Sequence, residues 1–168
     1  MIRITANPKE ILEKLYLEHV TKALLTNDHK YIVSLISELS GRIKTLVPSL
    51  KDFHENLDAE VDIKLIQQIL ENGAFSGVEF FAIMNAFLKR IEELEHPHDE
   101  NERLQVQKEL ENIGQPKNWG EIAPYFLKIH KLIDIADKRR LEALRDPQVI
   151  QLRNYLREKK LEKSRFSQ

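Results

Sequence analysis

The sequence predicts an all-α fold: a single helical bundle of six to seven helices, with a helix pair over residues 58–94 at its centre. Three observations predict it. Glycine is scarce, 5 of 168 residues, while Leu, Ile, Glu and Lys abound, which suits helices better than a many-turned β fold. Apolar residues recur at steps of three and four rather than two. The breaks between these runs carry helix start and stop residues.

The first helix starts at Asn7-Pro8. Asn accepts from the first free backbone N–H groups, and Pro tolerates the first helical position because its missing N–H is not needed there. Ile11, Leu12, Leu15, Val20, Ala23 and Leu24 supply an expected inward face. Asn27 suits the left-handed residue after a helix, and Asp28 suits the cap of the next. That second helix is expected over 29–47, with Ile32, Leu35, Ile36, Leu39, Ile43 and Leu46 inward and Pro48 as its stop. Gly41 lies inside it, at a cost of up to ~1 kcal/mol relative to Ala unless a neighbour packs closely there. The short turn between the two makes them an antiparallel hairpin.

Residues 49–56 read as a short helix or helical turn. A third full helix is expected over 59–72, stopped by Gly73. The fourth opens at Ser76-Gly77-Val78-Glu79, a capping box in which Ser and Glu satisfy each other's backbone donors. Its Phe80, Phe81, Met84, Phe87, Leu88 and Ile91 make a wide apolar arc, with Lys89, Arg90 and Glu93 opposite. These two helices form the expected central pair, from Asp58 to Leu94.

His96-Pro97-His98-Asp99 breaks the chain. A weakly apolar fifth helix over 101–113 uses Leu104, Val106, Leu110 and Ile113 at the edge of the bundle. After a loop over 114–118, a sixth runs over 120–144, with Pro124 required in or near its first turn. Asp146-Pro147 repeats the cap-then-proline signal and starts a last, basic helix to residue 163. One domain is expected over 1–163, with 164–168 a frayed tail.

The composition excludes several classes. A formal net charge of −1 argues against a dedicated nucleic-acid binder, which needs a broad basic surface. The absence of cysteine removes disulfides, thiolate catalysis and zinc-thiolate sites, and fits a reducing compartment. No window reaches the ~18 apolar residues of a membrane span, and the first ten residues hold no signal-length apolar run. The expected location is the cytoplasm.

Candidate sites are few. His96, His98 and Asp99, with Glu92, Glu93 and Glu95 before them, are metal-type ligands, but they sit on a proline-broken turn and read as a solvated acidic loop. His130 has Asp134 one turn on and Asp137 one turn further. The carboxylate would orient the imidazole for acid–base work, yet no nucleophile can be placed beside it, and an ordinary i,i+4 pair is the plainer reading. No cofactor and no catalytic set is implied.

Two surfaces remain for a partner. Leu127 and Ile135, with Lys131 between them, form a second narrow stripe on the sixth helix, fit for another helix of this chain or for an outside protein. Arg153, Arg157 and Lys160 lie on the last helix. From Gln151 to Gln168 it carries six basic and two acidic residues, which suits an acidic protein, a phospholipid surface, calmodulin or, least well, nucleic acid; a solvated charged face is the plain alternative.

Two stretches resemble the T-complex protein 11 family. Asp62-Ile63-Lys64-Leu65-Ile66-Gln67-Gln68-Ile69-Leu70 through Gly73 is similar to that family's Leu-Ile-x-Gln-Gln helix ending in Gly. Pro97-His98-Asp99, Phe126 to Ile129, Leu132 to Asp137 and Leu144-Arg145-Asp146-Pro147 resemble later family elements in the same order. The resemblance spans roughly residues 60–147. It departs at Asp146, which intrudes before Pro147, and at Arg139-Arg140, where the family tends to be apolar or amide-bearing. It implies a helical, non-enzymatic regulatory protein linked to cAMP-dependent kinase signalling, with a kinase subunit as a possible partner and no catalytic residues to carry over.

Overall fold

A computed structural model describes residues 7–114, 116 and 118–166, with side chains described as far as Lys163. Helix α1 spans Pro8–Leu25 and α2 His29–Leu46. The turn between them is built as its residues require: Asn27 has φ 51°, and Asp28 accepts from the Tyr31 N–H at 3.3 Å. Asn27 also donates its side-chain amide to the Leu70 carbonyl at 3.2 Å, tying this turn to a distant helix.

Helix α3 spans Lys51–Glu60, α4 Ile63–Glu71 and α5 Gly77–Leu94. The capping box at Ser76 and Glu79 is present, with the Ser76 N–H donating to the Glu79 carboxylate at 2.7 Å. A 3₁₀ turn, Pro97–Asp99, leads to α6, Glu100–Ile113. Then come α7, Trp119–Ile122, α8, Pro124–Arg145, and α9, Pro147–Phe166. The seven expected helices are all present, α3 is longer than the expected turn, and α7 is split from the expected sixth helix.

The core is the meeting of α2, α5 and α8. Ile32, Ile36, Leu39 and Ile43 of α2, Phe80, Met84, Phe87 and Ile91 of α5, and Phe126, Ile129 and Ile133 of α8 are all buried. Phe80 and Phe126 touch with ring centroids 5.6 Å apart. Burying each such side chain is worth roughly 1.5–3 kcal/mol, so this seam dominates the stability. Around it, α4 packs chiefly on α2, α6 on α5 and α8, and α3 across α2 and α5. Of the 58–94 segment, α5 therefore lies in the core, and α4 joins it through α2.

Several local expectations change. Asp58 and Glu60 belong to α3, because Val61 turns inward and Asp62 caps α4 by accepting from the Leu65 N–H at 3.2 Å. Pro124 does not sit inside a helix from 120; it begins α8 afresh. Arg90, expected on the outward face of α5, is 6% exposed, since α3 lies over it: Glu60 pairs with its guanidinium and the Phe53 ring lies 5.8 Å away. On α6 the inward residues are Arg103 and Leu110, while Leu104 is exposed. In α1 the face is rotated: Tyr16, Leu17, Val20 and Leu24 turn inward, while Ile11, Leu12 and Leu15 are exposed.

Helix α9 behaves unlike the rest. Its start is fixed by Asp146, whose side chain accepts from the Gln148 N–H at 2.9 Å and whose extended backbone ends α8. Beyond that turn, every residue from 151 to 163 is exposed. The expected frayed tail is helical in backbone to Phe166; residues 167 and 168 and the side chains of 164–166 lie outside the described residues, as do 115 and 117 of the expected loop.

Candidate functional site

His130 and Asp134 do not form a pair of their own. Arg42, reaching from α2 to α8, lies between them: Nη1 is 2.7 Å from His130 Nδ1, and Nη2 is 2.5 Å from the Asp134 carboxylate. A guanidinium only donates, so Nδ1 accepts and the imidazole carries its proton on Nε2. Burial first, then the Arg42 charge, push the His130 pKa below its ordinary value; Glu38 and Asp134 pull the other way. The Tyr16 ring stands edge-on to His130 at 6.0 Å, and its buried hydroxyl is pushed to a higher pKa by desolvation. Asp137 turns away to Arg140, at 2.9 Å. These contacts commit the groups to holding α1, α2 and α8 together.

The turn at His96–Asp99 is more than a solvated acidic loop. His96 Nδ1 accepts from the His98 N–H at 3.1 Å, and the two rings stack with centroids 4.8 Å apart. Asp99 takes both arms of Arg139, at 3.0 and 3.2 Å. Glu95 receives Nε of Arg103 at 2.9 Å, with Arg103 3% and Glu95 9% exposed at the side chain. Glu93 pairs with Arg90 at 3.1 Å. The carboxylates are thus directed at three arginines, Arg90, Arg103 and Arg139 on α5, α6 and α8, rather than at one point, and among the described residues no three His, Asp or Glu converge on a metal position. The Arg103–Glu95 pair leaves no mark in the sequence beyond an Arg in place of an apolar residue in the helix period.

An open cleft lies beside this turn, about 330 Å³, lined by Leu46, Val47, Leu94, His96, Ala136 and Arg140. A second, about 290 Å³, runs between α6 and α8, with Val106, Leu132 and Ile135 as its apolar floor and Glu102, Glu109 and Lys131 on its rims. The α8 stripe opens onto it. Leu127 and Ile135 are half-buried, not sealed, and Lys131 is exposed and reaches Glu13 of α1 at 3.4 Å. The expected neighbour helix has docked there: it is α6, not α9.

Arg153, Arg157 and Lys160 stand on the projecting α9, separate from the α8 stripe. By helical periodicity Arg153 and Lys160 lie along one edge of the line through Val149, Leu152 and Leu156, and Arg157 lies further round the helix. The two predicted surfaces therefore lie on different elements of the molecule.

A family model described as T-complex protein 11 matches residues 4–92, more than half of the chain. The chain belongs to the T-complex protein 11 family. The T-complex protein 11 match covers α1 to α4 and most of α5; α6 to α9 lie beyond it. The Leu-Ile-x-Gln-Gln motif falls on α4, where Ile66 and Leu70 are buried, Gln67 donates to Glu71 at 3.0 Å on the surface, and Gly73 ends the helix with φ 65°. In this T-complex protein 11 member the motif does structural work. Its later elements, past Pro97, lie outside the matched span. No curated protein and no solved structure matches the chain.

Proposed function

We propose that this T-complex protein 11 family member is a non-enzymatic, cytoplasmic protein-interaction module, acting as a regulator or adaptor in the cAMP-dependent kinase signalling that the family resemblance implies. One observation carries the reading. Helix α9 holds Leu152, Tyr155, Leu156 and Leu161 more than half exposed, on an element that adds little to the core. Apolar side chains kept in water on a capped helix mark a surface waiting for a partner. The commitment of His130, Asp134 and Asp137 to arginines supports a scaffold rather than acid–base chemistry.

The test is a direct binding assay. The full chain is immobilised, and purified regulatory and catalytic subunits of cAMP-dependent kinase are passed over it. The expected result is retention of one subunit by the wild type and its loss on Leu152→Asp with Leu156→Asp. Failure of both subunits to bind would remove kinase signalling from the reading.

A further inference from the structure

The exposed helix α9 carries a line of residues spaced for one particular kind of contact. Val149, Leu152, Leu156, Lys159 and Lys163 follow one another at alternating steps of three and four. That is the period at which two helices meet along a common seam. Val149 is half-buried at the junction with α8, and Leu152 and Leu156 are 57% and 56% exposed. Tyr155 flanks the line on one side, Arg153 and Lys160 on the other. The main contact of α9 within the bundle is with α8, and beyond Val149 every seam position is exposed.

The two lysines on the seam decide what meets it. In a parallel pair of α9 helices Lys159 and Lys163 would face like charges, and in an antiparallel pair they would lie unpaired against the apolar Leu152 and Val149; mismatches of this kind are how coiled coils exclude a wrong partner. An anionic lipid surface fits poorly too. The lysines stand in the middle of the stripe that would have to enter the acyl region, and Ile150 and Leu161 lie on the opposite side. An acidic helix meets every requirement: apolar residues against Val149, Leu152 and Leu156, carboxylates against Lys159 and Lys163, and more carboxylates beside Arg153 and Lys160. The present neighbours of Lys159 are Glu162 at 3.5 Å and the Tyr155 ring at 5.7 Å, both at the surface. Such contacts are weak and yield to a partner.

We propose that α9 is one strand of a heterotypic two-helix coiled coil whose other strand is an acidic amphipathic helix of a partner protein. This rests on the reading of the chain as an interaction module and names the chemistry of its partner. Three apolar seam positions make a reversible contact, one that a regulatory adaptor can release.

The test uses the full chain and a fluorescent synthetic helix of three heptads. The peptide has Leu along its seam, Glu at the two seam positions facing Lys159 and Lys163, and Glu on its flanks; a second peptide carries Lys in place of Glu. Light scattering should show the wild type alone as a monomer. It should bind the acidic peptide and not the basic one. Lys159→Glu with Lys163→Glu should weaken the acidic peptide roughly tenfold or more and create binding to the basic one, with circular dichroism unchanged. Equal binding of both peptides, or of neither, would overturn the proposal. So would an α9-dependent dimer of the wild type, or preference for vesicles of equimolar phosphatidylserine and phosphatidylcholine over the acidic peptide. Retention of a kinase subunit by a chain that ignores the acidic peptide would sink the coiled coil while leaving the interaction module standing.

Discussion

Arg42 and His130 lie 88 residues apart in the chain and meet at 2.7 Å, guanidinium to imidazole Nδ1. Asp134 takes the other arm of the same guanidinium, and the Tyr16 ring closes the group from α1. The contact locks three helices and needs a neutral imidazole.

A pH dependence follows. The His130 pKa is lowered in the folded chain, by burial first and then by Arg42. Below its ordinary value near 6.5 the unfolded chain takes up a proton that the folded chain resists. The stability from this site is therefore complete above that value and is lost as pH falls through the lower, folded pKa. Thermal melts between about pH 7.5 and 5 should show the melting temperature falling toward acid. His130→Gln should flatten this part of the profile, and an unchanged slope would count against the neutral-imidazole contact.

Gly41 offers a gain. It lies within α2, and a Cβ built there would find nothing within 4 Å. No close packing demands the glycine, so Gly41→Ala should stabilise the chain by about 0.5–1 kcal/mol. Urea unfolding should show the midpoint rising with an unchanged slope. A loss of stability would reveal a contact that the helix does not display.

Arg103 and Glu95 make the opposite case. Both side chains are nearly sealed, at 3% and 9% exposure, and Gln107 holds another arm of the arginine at 3.0 Å. Arg103→Ala strands the carboxylate and should cost about 3 kcal/mol or more in urea unfolding. Arg103→Met combined with Glu95→Leu removes both charges and should recover most of that loss. A double variant as unstable as the single one would mean that packing, not charge, is the term that matters.

Leu152 and Leu156 should be silent in the same assay. Replacing both by Ser on the exposed α9 should change stability by less than about 0.5 kcal/mol, whereas Phe87→Ala in the core should cost about 3–5 kcal/mol. The serine variant should nevertheless lose the partner. A large destabilisation would place these leucines in the fold.

Much of the fold was legible because its signals are local. Asn7, Asp28 and Ser76 cap the helices they were expected to cap, and Phe80 to Ile91 gave away the core helix by their period alone. What was not legible is set by neighbours far along the chain. On α1, Ile11, Leu12 and Leu15 stay exposed while Tyr16 and Leu17 face the bundle, where the Tyr16 ring stands edge-on to His130 of α8, a partner far along the chain. Arg90 and Arg103 are buried because Glu60 and Glu95 arrive from other elements, which no helical period announces. Ala59, Glu60 and Val61 permit a helix running through Asp62; the break there comes from Val61 turning into the core. The candidate site was half legible: the basic charge of α9 was plain, but its freedom from the bundle was not, because Val149, Leu152 and Leu156 suit a buried face equally well.

Helix α9 must stand outside the cooperative bundle to be available to a partner. Amide hydrogen exchange over the full chain measures this directly. Amides of α9 beyond its first turn should exchange several orders of magnitude faster than those of α2, α5 and α8. Protection of α9 equal to that of the core helices would contradict it.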